Sequence, residues 1–183
     1  KSINKIKFST KSKNLLNLKG KLKNAEVLDQ IVINFRQFKR DSSIIQKAIK
    51  RKKWDNISLI VRSSSISEDQ DKYSKAGMFL TISDIKGLDE ISSAVRKIFR
   101  SYHNVCHKDE VFIQPFLKKV KSSGVIFTRD INNNTPYIKI NYDDSGGRSD
   151  TITSGTGKNN KLFFYHKLHK KKIKGNLGRL IEL

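Results

Sequence analysis

The stretch Leu59–Thr81 reads LIVRSSSISEDQDKYSKAGMFLT and joins two apolar runs through a long polar connection. The first run ends at Arg62 and three serines, and the second begins at Met78 directly after Gly77. An apolar run, a polar loop with a glycine and a second apolar run predict a β-hairpin whose connection carries function. Burying the charge of an arginine at the end of a strand costs free energy unless an anion pairs with it. Arginine side chains and backbone N–H groups near glycine are suitable hydrogen-bond donors to phosphate oxygens. On these residues alone, a phosphate site and an ordinary surface hairpin both stay open.

The chain is strongly basic, with 38 Lys and Arg against 17 Asp and Glu and a formal net charge of +21. A positive charge of this size attracts polyanions in any fold. An alternative function is therefore that of a non-catalytic module that binds nucleic acid or another polyanion. The two basic runs, 47–53 and 167–174, contain no aromatic residues on which bases would stack. Nucleic acid is therefore not the expected partner.

Cysteine and histidine usage predicts neither a disulfide nor a protein metal site. Cys106 is the only cysteine, and the pairs His103/His107 and His166/His169 have no carboxylate at a suitable spacing. No run approaches the roughly 18 apolar residues of a membrane span, and no signal peptide is visible, so we expect a cytoplasmic protein without membrane contact. The chain begins with Lys rather than Met, and we expect the native N-terminus to lie upstream.

The 183 residues alternate between helical and strand patterns, which predicts an α+β fold of one domain or two small lobes. The strongest helical pattern lies over Leu88–Asn104, where apolar residues recur at spacings of three and four. The other predicted helices are Lys11–Leu22, with leucines along one side, Phe35–Lys39, Ser42–Lys50 and Asn176–Leu183. The predicted strands are Val27–Phe35, Ile57–Val61, Met78–Ile82, Glu110–Leu117, Ser123–Asp130, Pro136–Tyr142 and Leu162–Tyr165, with antiparallel hairpins at 57–82 and 123–142.

Three motifs resemble the nucleotide-binding domain of phosphoenolpyruvate synthase and pyruvate phosphate dikinase. V-R-S-S at Val61–Ser64, followed by E-D and by S-x-A-G-x-x-x-T at Ser74–Thr81, matches the centre of that domain. Lys11–Leu15 resembles its opening G-x-K-x-x-N-L, although Ser9 stands where the glycine is expected, and Ser123–Asp130 resembles its S-G-V-x-F-T-R-D. The resemblance extends over most of the chain.

This resemblance implies an ATP-grasp-like α+β fold of two lobes with antiparallel sheets, which we assign to residues 1–108 and, as a partial lobe, 109–183. It implies ATP and Mg²⁺ as cofactors and a catalytic role for Arg62 at the ATP phosphates. The other implied nucleotide contacts are Lys11 at the phosphates, Gly77 and Thr81 in a loop over them, Gln114, Phe116 and Leu117 at the adenine, and Asp150 in place of a family glutamate.

The resemblance also implies an ATP-dependent phosphotransferase in which a histidine of another domain carries the phosphoryl group to a small acceptor. The histidine and acceptor-binding domains are expected outside this chain, which would be a C-terminally incomplete ATP-grasp domain, inactive by itself and weak in nucleotide affinity. The segment 143–155, DDSGGRSDTITSG, looks like relatives tied to capsule or surface polysaccharide synthesis, including L-glutamine kinase. L-glutamine is therefore favoured over pyruvate as the acceptor.

Overall fold

The computed structural model describes residues 9–65, 80–102, 104–130, 133–146, 159–169 and 173–182. The predicted site residues Gly77 and Asp150 lie outside these ranges. Contacts divide the chain into two compact units, Lys1–Phe116 and Leu117–Leu183. Among the described residues, no helix is long and apolar enough to span a membrane.

The first unit contains four helices and four strands among its described residues. The helices are α1 (Lys11–Leu18), α2 (Phe35–Arg40), α3 (Ile44–Lys52) and α4 (Leu88–Ser101). The strands are β1 (Ile31–Asn34), β2 (Leu59–Ser64), β3 (Thr81–Ile85) and β4 (Glu110–Pro115), in the sheet order β1-β4-β2-β3. All neighbouring strands are antiparallel, so the predicted α+β class is confirmed.

The predicted hairpin at 57–82 is confirmed as the antiparallel pair β2–β3. Its register places Arg62 opposite Thr81 and Val61 opposite Ile82, with an irregularity between Leu59 and Val61. On its other side, β2 pairs with β4, so the strand that carries Arg62 lies inside the sheet and extends beyond this residue to Ser64.

One side of this sheet, here called the core face, packs against the helices α3 and α4. Residues alternate between the two faces of a strand, and Val61, Val111 and Ile113 point toward this core. The apolar stripe of α4 covers them, as its spacing predicted. The buried cluster consists of Ile31, Ile33, Ile45, Ile49, Trp54, Leu59, Val61, Ile91, Ala94, Val95, Ile98, Phe99, Val111 and Ile113.

The predicted extent and buried side of the first helix are wrong. Helix α1 ends at Leu18 rather than Leu22, and Gly20 follows with a φ of +75°. Leu16 is 46% exposed, whereas Ser12 is the residue of α1 that is buried. The reason is that α1 meets the sheet through its polar first turn and not through its leucines.

The predicted strand at Val27–Phe35 is shorter than expected because its last residue caps a helix. The side chain of Asn34 accepts a hydrogen bond from the Gln37 N–H, and the Gln37 side chain accepts one from the Asn34 N–H. This capping box ends β1 and starts α2 at Phe35.

The second unit contains an antiparallel sheet in the order β5-β6-β7, formed by β5 (Ser123–Phe127), β6 (Tyr137–Asp143) and β7 (Lys161–His166), followed by α5 (Gly175–Ile181). The predicted hairpin at 123–142 is thereby confirmed. A Cβ on Gly124 would lie 2.6 Å from the Asn141 carbonyl oxygen, so the glycine of the S-G-V motif permits the close approach of β6.

Strand β4 belongs to the first unit, because it pairs with both β1 and β2. By contacts, the chain therefore divides after Phe116 and not after residue 108. The assignment of functional lobes to 1–108 and 109–183 stays a prediction.

Candidate functional site

The face of the four-stranded sheet opposite the core face, here called the Arg62 face, brings together several predicted site residues. Arg62 lies between Phe112 on β4 and Thr81 on β3 in one cross-strand row. Residues directly opposite each other in antiparallel strands share a face and lie within side-chain contact distance. The structure thus places two predicted phosphate residues, Arg62 and Thr81, side by side.

The guanidinium of Arg62 lies over the ring of Phe112, with its Cζ atom 5.5 Å from the ring centroid. Phe112 is fully buried. A guanidinium that stacks on an aromatic ring keeps its N–H groups in the plane of the fork, where they suit phosphate oxygens. The buried ring therefore restricts the orientation of the predicted phosphate-binding arginine.

A second cross-strand row on this face consists of Asn34, Glu110 and Ser64. The hydroxyls of Thr10 and Ser12 donate hydrogen bonds to Glu110 Oε2, at 2.7 and 2.5 Å. Glu110 and its partners attach the first turn of α1 to the sheet, one row from Arg62.

Two further bonds complete this attachment. Lys13 Nζ lies 3.1 Å from Glu110 Oε1, and the Ser12 N–H donates to Ser64 Oγ at 2.9 Å. We call Glu110, Thr10, Ser12, Lys13 and Ser64 the Glu110 cluster.

Lys11, the predicted phosphate lysine, is the first residue of α1 and is partly buried. It lies in sequence between Thr10 and Ser12, both of which the Glu110 cluster fixes. The N-terminus of a helix also favours negative charge, because its first N–H groups lack intrahelical partners.

The three serines after Arg62 are buried, and Ser64 and Ser65 bond to neighbouring elements. Ser64 donates its N–H to the Tyr102 hydroxyl oxygen at 3.0 Å, and that hydroxyl donates to the Glu110 carbonyl at 2.7 Å. Ser65 Oγ donates to Asp109 Oδ1 at 2.7 Å, and Ser63 is buried within β2. Ser64 and Ser65 therefore anchor neighbouring elements around Arg62.

The predicted adenine residues lie at the end of β4. Gln114 is buried on the Arg62 face, and its side-chain Nε2 donates to the Leu28 carbonyl at 3.3 Å. The Phe116 N–H donates to the Ser58 carbonyl at 2.8 Å, while Leu117 is exposed. These bonds fix the course of the chain where it leaves the sheet.

The basic run at 47–53 has a local structural explanation. Lys50, Arg51 and Lys52 form the last turn of α3, where the helix dipole favours cations. Lys52 also forms an ion pair with Asp29, which forms a second ion pair with Lys19.

The described part of the chain contains no group of three or more His, Cys, Asp or Glu side chains arranged to hold a metal ion.

Comparison with known proteins identifies the family of the chain. Residues 10–105, just over half of the chain, match the family described as pyruvate phosphate dikinase, AMP/ATP-binding domain. The match indicates a nucleotide-binding domain of a phosphotransferase family. The chain belongs to the pyruvate phosphate dikinase AMP/ATP-binding domain family. No curated protein matches the chain.

Sequence reasoning predicted Arg62, Thr81 and Lys11 but missed Glu110 and its hydroxyl partners. The available signal was an acidic residue at the start of the apolar strand sequence EVFIQP, because a carboxylate entering a buried strand requires donors. Which donors it meets is not visible in the sequence, since Thr10 lies 100 residues away from Glu110.

Proposed function

We propose that the first unit binds the phosphates of ATP on the Arg62 face, through Arg62 and Lys11, with Thr81 beside them. The observation that carries this proposal is that Arg62 and Thr81 lie opposite each other in one cross-strand row. The adjacent row contains Glu110 and Ser64, which hold the start of α1. Membership of an AMP/ATP-binding family supports the nucleotide as the ligand.

In this proposal the chain is the ATP-binding part of a phosphotransferase that resembles phosphoenolpyruvate synthase. Phosphoryl transfer depends mainly on positioning and on stabilising developing negative charge. As the catalytic residue, Arg62 supplies a positive charge that stabilises this negative charge, and Lys11 adds a second cation. Gly77 contributes to the loop over the phosphates, Gln114, Phe116 and Leu117 contribute to the adenine position, and Asp150 takes the place of the family glutamate.

Mg²⁺ fits this site only together with the nucleotide. Mg²⁺ is bound through carboxylates and phosphate oxygens, and the described residues contain no carboxylate cluster that would hold it alone. When bound, the metal would neutralise phosphate charge.

We also propose a cytoplasmic enzyme in which a histidine of another domain passes the phosphoryl group to a small acceptor. The sequence DDSGGRSDTITSG at 143–155 supports L-glutamine, and a role in capsule or surface polysaccharide synthesis, over pyruvate. This choice is tested by supplying the native enzyme with ATP and either acceptor and following the product by ³¹P NMR. A phosphoramidate signal with glutamine supports the assignment, and phosphoenolpyruvate formation from pyruvate contradicts it.

ATP binding is tested by titrating this chain with Mg-ATP while recording protein NMR spectra, which detect the weak affinity expected here. Arg62→Ala should reduce the affinity about tenfold or more, because it removes a charge-assisted contact to phosphate. Arg96→Ala is the matched control, since Arg96 is an exposed arginine of α4. Equal responses of the two variants would contradict the proposed phosphate site.

The same titrations separate ATP binding from general attraction of polyanions by the net charge of +21. Binding that depends on total charge would fall steeply with salt and would respond equally to both arginine variants. Selective loss in Arg62→Ala favours the nucleotide site.

A further inference from the structure

Glu110 begins an apolar strand, yet its side chain is only 7% exposed. A carboxylate removed from water needs partners that compensate for its lost hydration. Its side-chain partners are Thr10, Ser12 and Lys13, the residues on either side of Lys11. A single carboxylate of the sheet therefore fixes the chain both before and after Lys11.

The second attachment of this segment comes from the strand that carries Arg62. Ser12 donates its N–H to the hydroxyl of Ser64, which lies two residues after Arg62 on β2. Residues two apart in a strand lie on one face, roughly 7 Å from each other. The distance between the start of α1 and Arg62 is thus set by bonds to two neighbouring strands.

The segment is also closed internally, by hydrogen bonds between Asn14 and Ser9. The Ser9 N–H donates to Asn14 Oδ1 at 2.8 Å, and Asn14 Nδ2 donates to the Ser9 carbonyl at 3.0 Å. Because both ends of 9–14 are joined, a displacement at Ser12 would move Lys11 with it.

We propose that Glu110 is a positioning residue that holds the backbone of Lys11 at a fixed distance from Arg62, so that both cations meet the phosphates of one nucleoside triphosphate. This inference rests on the proposed function. An apolar residue at this position would fill the sheet at a lower desolvation cost. Only a carboxylate accepts two hydroxyl hydrogen bonds and pairs with Lys13 at the same time.

The test compares ATP with adenosine as ligands of this chain, each titrated by protein NMR. Glu110→Gln keeps the size of the side chain but removes the negative charge and turns one oxygen into a donor. The ATP affinity should fall about tenfold while the adenosine affinity stays within about twofold, because only the phosphate contacts depend on Lys11. Glu90→Gln, an exposed residue of α4, is the control and should change neither affinity.

A double variant separates positioning from a general effect on folding. If Glu110 acts through Lys11, Glu110→Gln combined with Lys11→Ala should lose no more ATP affinity than Lys11→Ala alone. Additive losses, or an equal loss of adenosine binding, would overturn the positioning role.

The possible failures are distinguishable. A wild-type chain without any ATP response overturns the proposed function and this inference together. A chain that responds to ATP and to Lys11→Ala, but not to Glu110→Gln, overturns only the inference. If Glu110→Gln does not fold, Ser12→Ala provides the same comparison. It should lose about threefold in ATP affinity and nothing in adenosine affinity, and no loss overturns the inference.

Discussion

Both faces of the four-stranded sheet carry buried side chains, but different forces hold them. The core face is covered by apolar side chains of α3 and α4, which pack without directional requirements. The Arg62 face is covered at one row by the first turn of α1, through hydrogen bonds and an ion pair to Glu110. Packing on the core face supplies stability, whereas the directional bonds of the Arg62 face determine the position of Lys11 relative to Arg62. Variants on the two faces should therefore affect different measurements.

The largest effect on stability should come from the core face. Ile98 of α4 is fully buried in the apolar cluster, so Ile98→Ala should lower the free energy of unfolding by about 3 kcal/mol through lost burial and a residual cavity. Urea unfolding of the first unit measures this loss, and the exposed neighbour variant Lys97→Ala is its control. The ratio of ATP to adenosine affinity should stay unchanged; a changed ratio would mean that the two faces are not independent.

A smaller loss of stability should follow from removing the carboxylate of the Arg62 face. Glu110→Ala leaves the buried hydroxyls of Thr10 and Ser12 without their acceptor, which should cost about 2 kcal/mol in the same urea experiment. Lys13 is 51% exposed and returns to water without a large penalty. A loss as small as that of the control Glu90→Ala would show that the hydroxyls find other acceptors.

Arg62 should matter less for stability than for ligand binding. Arg62→Met keeps an apolar stem over the ring of Phe112 and loses the cation–π contact, so the free energy of unfolding should fall by about 1 kcal/mol, less than in Glu110→Ala. The ATP affinity of the variant should nevertheless fall as in Arg62→Ala. Destabilisation equal to that of Glu110→Ala would indicate that Arg62 is primarily a structural residue.

The smallest effect concerns an exposed carboxylate that links elements on the two faces. Asp29 pairs with Lys19, just after α1, and with Lys52 of α3. Hydrogen bonds from Lys19 and then Lys52 lower the pKa of Asp29 to about 2 from 3.8. Because the folded pKa lies below the unfolded one, its contribution to stability is present above about pH 4 and is lost as the pH falls toward 2.

Asp29→Asn should therefore lower stability slightly at neutral pH and flatten the dependence of unfolding on pH between about 4 and 2, so that the difference from wild type disappears toward pH 2. Added salt should reduce the difference between wild type and variant, because exposed ion pairs are screened. A ¹³C titration of the Asp29 carboxyl that shows an ordinary pKa would contradict the predicted window.

Predictions from periodicity succeeded wherever apolar packing decides the element. Helix α4 begins at the predicted residue, Leu88, and the hairpins were correctly paired. The prediction failed for α1, whose leucines suggested a buried side that the structure does not have. A helix that is attached to a sheet by hydrogen bonds needs no periodic pattern of apolar residues, because a buried serine can make the attachment.

In the candidate site, too, some features could be predicted from the sequence and others could not. Arg62 and Thr81 could be proposed as phosphate residues from sequence, since their motifs resemble a known nucleotide-binding family, whereas the register that sets them side by side is seen only in the structure. The partners of Glu110 could not, because β4 enters the sheet between β1 and β2, which precede it by many residues.

The sequence by itself determined the family, the α+β class and the central hairpin, because these depend on local motifs and on apolar periodicity. Only the tertiary structure decided that Glu110 meets Thr10, Ser12 and Lys13 and thereby sets the position of Lys11. The physical reason is that apolar burial is nondirectional and needs only the right face. A buried carboxylate needs specific donors at hydrogen-bond distance, and strand order brings those donors from a distant part of the chain.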